Sequence, residues 1–83
     1  MDLMLNVGYG NLINADRIIS IIQADSAPSK RMIAAASESD RCIDATKGRK
    51  TQSVIIMDSK HVILSALTPE TLGSRLRCDM AGE

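Results

Sequence analysis

Residues 53 to 66 read Ser53-Val54-Ile55-Ile56-Met57-Asp58-Ser59-Lys60-His61-Val62-Ile63-Leu64-Ser65-Ala66, two apolar runs around one short polar break. Both runs are rich in β-branched residues, and Asp58-Ser59-Lys60 is a polar segment of the length that closes a hairpin. Two adjacent antiparallel strands are therefore predicted. They are apolar at nearly every position rather than at alternate ones, the pattern of strands covered on both faces. One short helix cannot cover two such strands on both sides, so part of the cover is expected from a neighbouring subunit.

Working upstream, Cys42-Ile43-Asp44-Ala45 forms another short strand, and Arg17-Ile18-Ile19-Ser20-Ile21-Ile22 reads as a buried one, too short and too β-branched for a helix. Leu3-Met4-Leu5-Asn6-Val7 and Leu12-Ile13 flank Gly8-Tyr9-Gly10-Asn11, whose glycines and Asn tolerate the positive φ of a tight turn. An opening hairpin is predicted there. Ser26-Ala27-Pro28 starts a helix running from about residue 27 to 38, with Met32, Ala35 and Ala36 on one face. A second helix is signposted by Thr68 as N-cap, Pro69 in the first turn, Glu70 at the positive end of the dipole, and Leu67 with Leu72 as a hydrophobic staple. Leu72 and Leu76 then share a face. The whole is a single α+β domain over residues 1–77, a small antiparallel or mixed sheet with two helices, followed by a patternless tail at 78–83.

A chain of 83 residues buries only about 60 to 65 % of its unfolded surface, so it is short of stabilising contacts. Small domains offset that with disulfides, a metal or self-association. Cys42 and Cys78 are the only cysteines and could form one disulfide at most, not the framework of a small secreted domain. His61 is the single histidine and there is no CxxC pair, so no zinc site and no cofactor are expected. Self-association remains, and a homo-oligomer is predicted. Met1-Asp2-Leu3-Met4-Leu5-Asn6 lacks the basic start and long apolar stretch of a signal peptide, and no run approaches the roughly 20 apolar residues of a membrane span. A cytoplasmic protein without membrane contact is expected.

Catalytic constellations are thin. Gly8-Tyr9-Gly10 has Ile13 where a dinucleotide-binding turn needs its third glycine, and Gly48-Arg49-Lys50-Thr51 lacks the spacing of a phosphate-binding P-loop. His61 has no nucleophile beside it, Cys42 reads as a small apolar residue, and Asp44 as a cap or a salt-bridge partner. Neither an enzyme nor a small-molecule substrate is expected.

Charge is balanced overall but unevenly placed. Residues 1 to 40 carry three basic and five acidic side chains, residues 41 to 60 five and two, and residues 61 to 83 two and three. The middle stands at +3, and its centre is Lys47-Gly48-Arg49-Lys50-Thr51-Gln52, a predicted loop with three cations and a glycine that lets backbone approach a ligand. Composition alone weighs a solvated loop and a phosphate-binding loop equally. Tyr9 is the only aromatic residue, so base stacking cannot dominate affinity and duplex DNA gripped through phosphates fits better than a single strand. Arg49 is the residue placed to reach a base edge through its fork. Arg17, Lys30 and Arg31 join the patch if the fold brings them to it. One copy offers few cations, and repetition in an oligomer multiplies them.

Asn6-Val7-Gly8-Tyr9-Gly10-Asn11, Arg17-Ile18, Ser26-Ala27-Pro28, Lys30-Arg31, Ile43-Asp44-Ala45-Thr46, Gly48-Arg49 and Asp58-Ser59-Lys60-His61-Val62-Ile63-Leu64-Ser65-Ala66 together resemble the bacterial RemA family of extracellular matrix regulatory proteins. The resemblance implies a transcriptional regulator that activates biofilm-matrix operons. It also implies a ring-shaped oligomer binding double-stranded DNA, with subunits like the LytTR DNA-binding domain. By that resemblance Arg17 and Arg49 are DNA-contacting arginines, Lys50 takes the place of another, and Pro28 is a sensitive helix start. Lys50 keeps phosphate attraction but lacks the arginine fork. The DNA-binding set predicted is Arg17, Lys30, Arg31, Lys47, Arg49 and Lys50. The alternative is a scaffold ring whose basic loop pairs with Asp16, Asp44 or Glu70 of the next subunit.

Overall fold

The computed structural model describes residues 3–81, with side chains through Arg77. In chain order the elements are β1 (Met4–Asn6), β2 (Leu12–Asn14), a 3-10 turn (Ala15–Arg17), β3 (Ile18–Gln23), α1 (Ala27–Glu38), β4 (Cys42–Asp44), β5 (Ser53–Met57), β6 (Val62–Ser65) and α2 (Pro69–Ala81). The fold is α+β, as the sequence pattern predicts. β1 and β2 pair antiparallel as a hairpin. The other four strands form a mixed sheet in the order β3-β5-β6-β4, with β4 parallel to β6 and the remaining pairs antiparallel.

The two central strands are covered on both faces, as their composition demands, but the cover is intramolecular. Successive residues of a strand point to opposite faces. Accordingly Val54 and Val62 join a core with Ala24 and Ala36 under α1, while Ile55 and Ile63 join Leu5, Val7, Ala45, Met57 and Leu72 under the hairpin and α2. Three layers result, and β5 and β6 need no neighbouring subunit. The apolar surface left to solvent lies at the edges instead. β3 is an edge strand rather than a buried one, because it pairs only with β5, and Ile19 beside its bulge is 66 % exposed. Ile43 on the opposite edge strand and Met4 and Leu12 on the hairpin are exposed as well.

Both helices begin at the caps read from the sequence. Ser26 Oγ accepts from the Ser29 N–H at 3.2 Å with Pro28 in the first turn, and Thr68 Oγ1 accepts from the Thr71 N–H at 3.1 Å. Leu67 and Leu72 pack in the same core, as a staple requires. α1 turns inward a face that overlaps the one expected, with Ala36 buried and Met32 half-buried, but is centred on Ile33. Ser29, Ile33 and Ala36 are buried or half-buried, while Ala35 is exposed, because the helix meets the sheet along positions three and four apart through Ile33. α2 runs on to Ala81, four residues into the expected tail, since no glycine or proline stands between Arg77 and Gly82. Residues 82 and 83 of that tail lie outside the described residues. Among the described residues no helix is long and apolar enough to cross a membrane.

Candidate nucleic-acid interface

The basic segment is a built turn. At the end of β4, Asp44 accepts hydrogen bonds from the Thr46 backbone N–H at 2.8 Å and from its hydroxyl at 2.5 Å. The hydroxyl and then the N–H stabilise the carboxylate, holding the Asp44 carboxyl below its ordinary range. The Thr46 carbonyl then accepts from the Arg49 N–H at 3.0 Å, closing a turn in which Lys47 (φ 54°) and Gly48 (φ 80°) are both left-handed. A Cβ at Gly48 would meet no neighbour within 4 Å, so backbone conformation and not crowding calls for glycine there. Both stems hang on β6, through Ala45 N–H to the Leu64 carbonyl at 2.9 Å and Gln52 N–H to the Ser65 carbonyl at 2.8 Å. Ala45 and Thr46 are buried, and Lys47, Gly48, Arg49 and Lys50 are exposed. Among the described residues none of these three cations forms an ion pair.

A second turn stands at the same end of β6. Ser65 Oγ donates to the Val7 carbonyl at 2.8 Å and accepts from the Leu67 N–H at 3.1 Å. Beyond Val7, positive φ falls on Gly8, Tyr9 and Gly10, and not on Asn11. Asn11 closes the turn instead, its side-chain amide donating to the Gly8 carbonyl at 2.9 Å while the Asn6 side chain accepts from the Gly8 N–H. Lys47 Nζ lies over the half-exposed Tyr9 ring, 5.6 Å from its centroid.

The other predicted contacts are divided. Lys50 and Lys30 line one depression with Asp25 and Ile33, so Lys30 belongs to the same end of the subunit. Among the described residues its only ion pair is a loose one with Asp25 at 4.0 Å. Lys50 also borders a polar depression with Asp25 and Glu70, which lowers the local positive potential. Arg31, about 100° further around α1, is exposed and lines neither depression. Arg17 is elsewhere. β3 runs antiparallel to β5 with Ile18 opposite Met57 and Gln23 opposite Ser53, so Arg17 sits at the far end of β5 from the basic turn, separated from it by more than that strand's length of roughly 15 Å at 3.4 Å per residue. There it pairs with Asp58 at 3.2 Å, and not with its neighbour Asp16, whose N–H is held by Asn14.

Two features of this surface escape a sequence reading. Tyr9 reads only as a turn residue, and nothing local signals its proximity to Lys47. Ser65 reads as one polar position in an apolar strand, though a lone hydroxyl in such a run signals a buried hydrogen bond. Asp44 is the cap that its Asp-x-Thr spacing suggests. The expectation that His61 has no nucleophile beside it is corrected by the fold: its Nδ1 shares a hydrogen bond of 2.6 Å with the Ser59 hydroxyl in the exposed β5–β6 turn.

With this geometry in hand, similarity to known proteins is informative. Residues 4–76 match the family model described as extracellular matrix regulatory protein A-like. A Geobacillus kaustophilus protein is 58 % identical over 72 residues, covering 87 % of this chain and 83 % of its own. A Brevibacillus brevis protein is 55 % identical over 73 residues, covering 88 % and 85 %, and a Halalkalibacterium halodurans protein 52 % identical over 82 residues, covering 96 % and 94 %. Each is named as a candidate regulatory protein. The match spans every element from β1 into α2, and the chain belongs to the RemA-like family.

Proposed function

We propose that this chain is a double-stranded DNA-binding transcriptional regulator, working as a ring-shaped homo-oligomer and activating extracellular matrix genes. The reading is carried by the Thr46–Arg49 turn with the adjoining Lys50, three exposed cations that form no ion pair among the described residues and stand on stems hydrogen-bonded to β6. Phosphate binding needs fixed positive charge at a place the duplex can reach, and each neutralised phosphate adds affinity through counterion release. Family membership and the regulatory names of the relatives point the same way.

The division of the basic residues also favours assembly. Arg17 and the Lys47–Lys50 turn lie at opposite ends of the sheet, so one subunit cannot present them as one patch. A head-to-tail contact repeated around a closed ring sets one end of a subunit near the other end of the next. Exposed Ile19, Ile43, Leu12 and Met4 supply apolar surface for such contacts.

A mobility-shift titration of duplex DNA at low salt, with light scattering on the same samples, tests the reading. The parent is expected to shift DNA as an oligomer, and Arg49→Ala with Lys50→Ala to weaken the shift at least tenfold while leaving the oligomer intact. Equal binding by parent and variant would rule the reading out. Collapse of the oligomer in the variant would favour the scaffold.

A further inference from the structure

Tyr9 is unusual on three counts that meet at one place. It is the only aromatic residue of the chain, and it is 49 % exposed. It also adopts φ 55°, a conformation that costs an L-residue with a bulky side chain about 1 kcal/mol or more. Asparagine, the L-residue most at ease with positive φ, stands two positions later and takes an ordinary φ instead. The strain is not offset by deep burial, because the residue is half-exposed. A strained, exposed side chain held by a rigid surround is a signature of function.

The surround is rigid in a particular way. The Gly8-Tyr9-Gly10 turn hangs from Ser65 through the Val7 carbonyl, and the basic turn hangs from Leu64 and Ser65 through Ala45 and Gln52. One end of β6 therefore fixes the spacing between the two turns. Across that spacing the Lys47 ammonium reaches the Tyr9 ring face at 5.6 Å, within the range of a cation–π contact. A free lysine has several rotatable bonds, and fixing them on binding a phosphate costs affinity. A lysine already resting on a ring has lost part of that freedom before the ligand arrives.

We propose that Tyr9 is a positioning residue of the DNA interface: its ring holds the Lys47 ammonium beside Arg49, so that both cations meet the phosphate backbone together. This rests on the DNA-binding reading above. The ring acts through Lys47, whose ammonium lies over one of its faces. The phenolic hydroxyl plays no part.

The test is a double-mutant cycle on the full chain. The affinity for a duplex is read by fluorescence anisotropy across a series of potassium chloride concentrations. Tyr9→Asn removes the ring without adding strain, because asparagine accepts the same φ. Tyr9→Phe keeps the ring and removes the hydroxyl, and Lys47→Ala removes the cation. Tyr9→Phe is expected to bind like the parent. Tyr9→Asn is expected to bind about two- to fivefold more weakly at low salt, as for an exposed cation–π contact. Lys47→Ala is expected to weaken binding and to lower the slope of log Kd against log salt by about 0.9. In the Lys47→Ala background, Tyr9→Asn should have no further effect. If the Tyr9→Asn loss persists undiminished in that background, or if Tyr9→Asn binds like the parent, the positioning role is wrong. Arg49→Ala in the same series separates this from the underlying reading. Loss in Arg49→Ala without loss in Tyr9→Asn overturns only the positioning role, while no loss in either overturns both.

Discussion

Ser65 Oγ donates a hydrogen bond of 2.8 Å to the Val7 carbonyl, joining β6 to the opening hairpin across 58 residues of chain. The hydroxyl also accepts from the Leu67 N–H, so one buried side chain satisfies backbone groups on the opening hairpin and on the segment leading into α2. Ser65→Ala leaves the Val7 carbonyl and the Leu67 N–H without that partner. A cost of about 1–3 kcal/mol is expected, read as a lowered midpoint in urea denaturation. Ser59→Ala, which loses an exposed hydrogen bond to His61, should stay within about 0.5 kcal/mol of the parent. Equal effects from the two would show that the Ser65 link is not a structural anchor.

The Asp44–Thr46 cap makes the basic turn sensitive to pH at the acid end. Because the folded-state pKa of Asp44 is depressed, its contribution to stability is fully present above the ordinary carboxylate range and is lost as pH falls through the folded value. Asp44→Ala should therefore be less stable than the parent at neutral pH, by an amount that shrinks to nothing in acid. Thermal melts of both proteins from pH 7 downward would show the two curves converging. A difference that stays constant with pH would mean that the carboxylate is not what holds the turn.

Arg17 is restrained by Asp58 through a surface ion pair, with side chains 65 % and 45 % exposed. Such pairs are worth no more than about 1 kcal/mol, so breaking this one leaves the fold intact. If Arg17 contacts phosphate in the assembled protein, Asp58 competes with the DNA for it. Asp58→Ala is then expected to tighten duplex binding by up to about fivefold at low salt. Weaker binding in the variant would mean instead that Asp58 orients Arg17 for its contact.

Which parts of this were legible in the sequence follows from how local their causes are. The hairpin of β5 and β6, the two helix starts at Ser26 and Thr68 and the turn at Gly48 are fixed by residues a few positions apart, and each was readable. The failures concern partners distant in sequence. Ile18 to Ile22 look like a central strand because nothing in their composition says that only β5 pairs with them. The cover of β5 and β6 seemed to need another subunit because the hairpin and α2 reach that face only through the fold. At the candidate site, the Lys47–Arg49 turn was visible as charge around a glycine. That Arg17 lies at the opposite end of β5 depends on strand pairing, and that Tyr9 lies under Lys47 depends on the common anchor at Ser65.

If cations of the Thr46–Arg49 turn and Lys50 neutralise DNA phosphates, the slope of log Kd against log salt for duplex binding reports it. Each phosphate contact contributes about 0.9 to that slope. Arg49→Ala with Lys50→Ala is predicted to lower its magnitude by about 2 or more, the larger values arising when several subunits grip the same duplex. A slope unchanged from the parent, with oligomeric state preserved, would contradict the account.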